Sequence, residues 1–145
     1  MPRTRAINVL IGLGLFTAAA VSAYWAAWFF APEVVQSRSP ADANYAIYVA
    51  FEQAFPLADS FLAVAALIGA AGLWKMRPWG FLFMLLAGGA AMFLGCMDLL
   101  YDLEHSLFTP LTAEALIELS IVTLLLLLGP VVIWLTWHER RHFLR

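Results

Sequence analysis

The chain has 145 residues, of which 63% are apolar and 12% charged, with a mean hydropathy of +0.84. An ordinary soluble domain is about half apolar and a quarter charged, so this balance excludes a small water-soluble globule and places the chain in a membrane. Its 8 basic and 10 acidic side chains form no basic stripe, which excludes a nucleic-acid footprint, and its single cysteine, Cys96, can build neither an internal disulfide nor a thiolate metal cage.

A membrane-crossing helix needs about 20 mostly apolar residues, and the sequence offers four such stretches joined by short connectors. The prediction is an all-α integral membrane four-helix bundle forming a single domain over residues 1–145. The first span covers about residues 6–30. Met1 to Arg5 followed by an apolar run, with Val21-Ser22-Ala23 downstream, has the outline of a cleavable signal peptide. The apolar run continues through Tyr24 to Phe30, longer than a signal core, so it reads as a retained span.

The second span covers about residues 48–74. Ser39-Pro40-Ala41-Asp42 ahead of it reads as a helix start, a hydroxyl cap followed by proline at the first helical position. From Pro40 to Trp74 would measure about 52 Å if helical throughout, more than an ~30 Å hydrocarbon core, and Pro56 is the natural kink. The third span covers about residues 79–101. The fourth covers about residues 111–137, with Thr109-Pro110 as its expected start and a bend expected at Gly129-Pro130.

Seven of the eight basic residues, Arg3, Arg5, Lys75, Arg77, Arg140, Arg141 and Arg145, fall on one side of this arrangement. Positive charge marks the cytoplasmic side, so both termini are expected there, in a plasma (inner) membrane. The tryptophans give the same frame: Trp25 and Trp28 mark the outer headgroup level, and Trp74, Trp79, Trp134 and Trp137 the inner one.

All the acidic residues except Glu139 lie toward the outer side. Glu33, Asp42, Glu104 and Glu114 fall in connectors or at helix ends, where a solvated carboxylate is ordinary. Glu52, Asp59, Asp98, Asp102 and Glu118 fall within or at the edge of apolar helices. Counting about 1.5 Å per residue up from the inner tryptophans puts Asp59, Glu118, Asp98 and Glu52 at heights of about 22, 24, 28 and 33 Å, one layer below the outer headgroups. Charged groups at membrane depth are costly and turn toward the bundle interior. Seven residues apart, Glu52 and Asp59 share a helix face that continues through Ala63, Ala66 and Ala70; Asp98 and Asp102 share one that continues through Gly95, Ala91 and Ala87.

An outer cavity lined by Glu52, Asp59, Asp98, Asp102 and Glu118 is therefore expected, with Tyr48, Phe55 and Tyr101 near it and His105 at its rim. The helices supply no lysine or arginine to balance these acids, so they call for a bound cation, for protonation, or for both in competition. The ligand-binding set is Glu52, Asp59, Asp98, Asp102, Glu118, Tyr48 and Tyr101. For a hard divalent metal ion the ligands would be Asp98, Glu118, Glu52 and His105. The same cavity suits an amine.

Three further readings stand beside this one. A membrane enzyme of isomerase or hydratase type would use the carboxyls of Asp59 and Glu52 for acid/base chemistry, with Asp59 the better acid, on a lipophilic substrate of sterol or isoprenoid type in a pocket of about 300 Å³ or more. Alternatively, the carboxyls only fasten helices through hydroxyls such as those of Ser60, Ser120 and Thr123. The chain would otherwise be a structural subunit, packing against lipids, a partner or a second copy of itself.

Asp102-x-x-His105 has the spacing used by carboxylate-bridged di-iron bundles, but the second copy those sites need is missing. His138-Glu139-Arg140-Arg141-His142 resembles the HExxH motif of the zincin metalloproteases over five residues, with Arg-Arg where those enzymes carry uncharged residues and no third ligand downstream. It reads better as a basic end that snorkels to anionic headgroups. In span number and acid placement the chain resembles the small four-span proteins of the emopamil-binding and sigma-2 receptor family. That resemblance implies a site for lipophilic amines or sterols held against buried acids, and assigns no individual residue.

Overall fold

The computed structural model describes residues 3–144. Met1, with the start of the signal-like segment, and Arg145, one of the basic residues used for orientation, lie outside the described residues. The helices are α1 (Arg5–Phe30), α2 (Pro32–Val35), α3 (Tyr45–Glu52), α4 (Pro56–Trp74), α5 (Pro78–Glu104) and α6 (Ala113–His138), followed by a 3-10 turn at Glu139–His142. Four segments are long and apolar enough to cross a membrane: α1, α3 with α4, α5, and α6 with its turn. This is the expected all-α four-helix bundle, a multi-pass membrane protein by the length and composition of its helices.

In lipid no hydrophobic force draws apolar helices together, so small residues that let backbones approach decide which faces pack. Ala63, Ala65, Ala66 and Ala70 of α4 are buried, as are Ala87 and Ala91 of α5. Leu57, Phe61, Phe93 and Leu127 point outward and are exposed. At the tight turn between α4 and α5, Gly72 and Gly80 bring the two backbones into direct contact, so that a Cβ on either would strike the other chain segment. Packing runs from α1 to α4, α4 to α5 and α5 to α6, and the ring closes only loosely between α6 and α1.

The two expected proline helix starts are turns instead. Ser39 Oγ accepts the Ala41 N–H at 3.3 Å and Asp42 Oδ1 accepts the Asn44 N–H at 2.7 Å, and α3 begins only after Asn44. At the other connector, Thr112 caps α6 by accepting the Ala115 N–H at 3.2 Å. A hydroxyl followed by proline serves a turn as well as a helix start; at α6 the nearby Thr112 takes the capping role, while α3 starts after Asn44 without a side-chain cap.

Instead of a kink at Pro56, the helix breaks completely. Proline has no N–H to continue the ladder, so α3 stops at Glu52, the Phe55 N–H turns back to the Glu52 carbonyl at 3.0 Å, and α4 restarts with Pro56 at its first position. In contrast, α6 runs through Pro130 without interruption.

At the end of the bundle carrying Arg3, Lys75 and Arg140, the two ends of the chain are joined. Thr4 Oγ1 donates to Glu139 Oε2 at 3.0 Å, and the same oxygen lies 3.2 Å from His142 Nδ1. Arg3 lies over the Trp74 ring at 4.3 Å. The HExxH-like segment thus spends its glutamate on a latch between α1 and the end of α6, while His138 is exposed and stacks on Trp134 at 5.7 Å. Glu139 is buried, which fits a structural contact at the helix ends.

Candidate functional site

The break before Pro56 and the loose edge between α1 and α6 together leave a cavity of about 120 Å³ toward the opposite, acidic end of the bundle. Each of its four carboxylates comes from a different helix: Glu52 ends α3, Asp59 lies in the first turn of α4, Asp98 is on α5 and Glu118 on α6. Phe16, Thr17 and Tyr24 of α1, Phe55, Leu62 and Leu128 complete much of an otherwise apolar wall. Among the described residues, none that lines the cavity is basic.

Three of the four acids are held by one donor each. The Tyr24 hydroxyl donates to Glu52 Oε2 at 3.0 Å, the Trp25 indole N–H to Asp59 Oδ2 at 2.8 Å, and the Ser37 hydroxyl to Glu118 Oε2 at 2.8 Å. Two of these donors lie on α1, within one helical turn, because Tyr24 and Trp25 present adjacent faces to α3 and α4. Asp59 gains further support from its place at the start of α4, where unpaired backbone N–H groups favour negative charge. Asp98 accepts no hydrogen bond from the protein among the described residues. Glu52 and Glu118 are buried to 8% and 5% exposure, yet each uses only one carboxylate oxygen on a protein donor.

The other residues expected at the site stand outside the cavity lining. Asp102 is buried one turn beyond Asp98, with Oδ2 unpartnered. Tyr48 is fully buried and its hydroxyl accepts the Ser37 N–H at 3.0 Å. Tyr101 is stacked between Phe51 at 3.7 Å and His105 at 4.1 Å. His105 ends α5 and has Nδ1 at 2.9 Å from the Tyr101 carbonyl. Two of the hydroxyls proposed as helix fasteners serve their own helices: Ser60 donates to the Pro56 carbonyl and Ser120 to the Leu116 carbonyl, each at 2.6 Å. Among the described residues no three of His, Cys, Asp and Glu converge in a group that could hold a metal ion.

No protein-family model matches this chain, and no curated protein or solved structure matches it either. The functional reading rests on the chain's own residues.

Sequence reasoning missed the α1–α3 connector. Arg38, the one basic residue at the acidic end among the described residues, donates from Nη1 to Asp42 Oδ2 at 2.7 Å and from Nη2 to the His105 carbonyl at 2.7 Å, tying the connector over the end of α5. A cation at a helix C-terminus is favourably placed. The Asn44 backbone N–H and the Arg38 guanidinium hold the Asp42 carboxyl below its usual range. The available signal was Arg38 and Asp42 at a spacing of four, with serines on both sides of the arginine.

Trp25→Phe keeps the ring contacts with Tyr24 and Trp28 but withdraws the donor from Asp59. The expected result is a loss of about 1–3 kcal/mol, the cost of leaving a partly buried acceptor unpaired, read as a lower thermal unfolding temperature in detergent. Combining it with Asp59→Leu should recover part of the loss.

Proposed function

We propose that the cavity binds an organic cation, an amine carried against Glu52, Asp59, Asp98 and Glu118. The observation that carries this reading is the convergence of four carboxylates from four helices on one small cavity without a basic side chain in its wall. Carboxylates that face one largely apolar cavity need a counter-charge or protons, and an ammonium group supplies both hydrogen bonds and charge. Phe16, Tyr24 and Phe55 add aromatic surface, which favours alkylated ammonium groups over hydrated metal ions. Among the described residues no three ligating groups lie close enough together to grip a small metal ion, whereas carboxylates spaced around the cavity wall suit a larger organic cation. A cavity of about 120 Å³ is also small for enclosing a whole lipid substrate, for which about 300 Å³ or more is usual.

The charge distribution supports an orientation with the acidic end outside, in a cytoplasmic membrane, with Arg3, Lys75, Arg77 and Arg140 on the inner side. The test is thermal unfolding of the purified protein with N,N-dimethylhexylamine, with hexan-1-ol as its neutral counterpart, and with calcium or magnesium chloride. At amine concentrations near 100 times the dissociation constant, a rise of roughly 5–10 °C is expected. Equal effects of amine and alcohol would end the reading, and stabilisation by the metal salts alone would transfer it to a metal.

A further inference from the structure

A second void lies at the acidic end, a vestibule of about 540 Å³ bounded by the α1–α3 and α5–α6 connectors. Its wall carries Glu33, Asp42 and Glu114 against the single positive charge of Arg38, so its field favours cations. No residue lines both the vestibule and the carboxylate cavity. One hydrogen bond joins them: Ser37 belongs to the vestibule wall, Glu118 to the cavity wall, and the Ser37 hydroxyl donates to Glu118 Oε2 at 2.8 Å.

The surroundings of this bond are polar and incompletely paired. Arg38 Nε, Tyr101 Oη and Asp102 Oδ2 are all buried without a hydrogen-bond partner among the described residues. Arg38 follows Ser37 in sequence, and Tyr101 and Asp102 lie one helical turn from Asp98 toward the vestibule. Buried polar atoms left unpaired are costly, so three of them at one level mark a layer that water enters. The Ser37 backbone N–H, bonded to the Tyr48 hydroxyl, and the Arg38 guanidinium, bonded to Asp42 and the His105 carbonyl, hold the serine in position.

We infer that the cation reaches the four carboxylates from the water at the acidic end, through this vestibule, and that the Ser37–Glu118 hydrogen bond is the partition it opens. The inference rests on the cavity being a cation site, and adds that the ligand is water-borne. An approaching ammonium competes for Glu118 directly, since the oxygen that holds the partition shut is one of its own ligands. Ser37 therefore stands between the two voids, and its hydroxyl is what the cation must displace from Glu118.

The test uses thiol labelling in sealed vesicles with the acidic end outward. Cys96, which is exposed, is replaced by Cys96→Ala, and Thr17→Cys introduces a thiol in the cavity wall with all four carboxylates intact. A membrane-impermeant trimethylammonium-ethyl thiosulfonate is expected to react several-fold faster than its sulfonate-ethyl counterpart. Ser37→Gly should accelerate the cationic reagent several-fold again, while Ser37→Thr, which keeps the donor, should leave its rate near that of the parent. Val21→Cys provides a second thiol in the same wall, again with all four carboxylates intact, should Thr17→Cys fail to fold. Rates that ignore Ser37, or labelling by membrane-permeant aminoethyl reagent alone, would place the route at the α1–α6 edge and overturn the inference. Amine stabilisation of the unlabelled protein is read separately. Gated labelling without it leaves the route standing and removes the cation site, and the opposite outcome removes only the route.

Discussion

Gly80→Val is expected to unfold the bundle or to lower its stability by more than about 3 kcal/mol, the upper end of ordinary overpacking costs. A Cβ at this position would meet the Leu73 backbone nitrogen and the Gly72 backbone, and Gly72 in turn abuts Gly80 Cα and the Trp79 ring. A flexible side chain could rotate away; two backbones joined by the short Lys75–Arg77 turn cannot. The change therefore acts on the α4–α5 pair, against which the rest of the ring is assembled. Gly89→Val is the internal control, because nothing lies within 4 Å of a Cβ built there. Thermal unfolding and size-exclusion profiles in detergent should show a collapsed Gly80→Val and a near-normal Gly89→Val. Similar behaviour of the two variants would mean that backbone approach at Gly72 and Gly80 does not hold α4 to α5.

Asp98→Asn together with Glu118→Gln is expected to abolish the amine response while leaving the fold intact. Among the described residues three cavity acids each have a protein donor and Asp98 has none, so Asp98 depends most on whatever occupies the cavity. Removing one member of a desolvated charge pair costs about 2 kcal/mol or more, which makes a loss of at least about thirtyfold in affinity the expectation for Asp98→Asn alone. The amides keep the shape of the acids and relieve repulsion among them, so thermal stability without amine should hold or rise. Asp102→Asn, which lies outside the lining, should retain the response. An amine response that survives the double substitution would remove the carboxylates from the binding site.

Much of this architecture is legible in the sequence because lipid imposes a strict length and composition on anything that crosses it. The α1, α5 and α6 spans follow from that alone. The convergence of Glu52, Asp59, Asp98 and Glu118 was also legible, from depth counted along each helix, although one step of the reasoning differs from the fold. Glu52 and Asp59 do not share a continuous helix face; the chain breaks between them, and both still turn to the cavity because Tyr24 and Trp25 of α1 receive them. The break itself was only half legible, since proline announces an interruption of the ladder without saying whether neighbouring contacts will restore the helix, as happens at Pro130.

The donors to the acids were hidden for a different reason. Ser60 and Ser120 were nearest in sequence and chemically suitable, but a helical serine readily returns its hydroxyl to the carbonyl four residues back, and both do. Tyr24, Trp25 and Ser37 are far from their acids in sequence, and tryptophan near a helix end reads first as a headgroup anchor. Arg38 likewise gives no sign of its partner in the sequence; only the folded chain sets it on the carbonyl of His105, the cap of α5.

The interruption before Pro56 has a consequence for how the protein meets membranes of different thickness. With 19 residues, α4 measures about 28 Å, close to a hydrocarbon core by itself, which leaves the eight residues of α3 free to lie at the interface. A thicker or thinner bilayer can then be accommodated by pivoting α3 at its joint, without tilting α4. Glu52 rides on the pivoting side and Asp59 on the anchored side, so lipid chain length would set the gap between two of the four carboxylates.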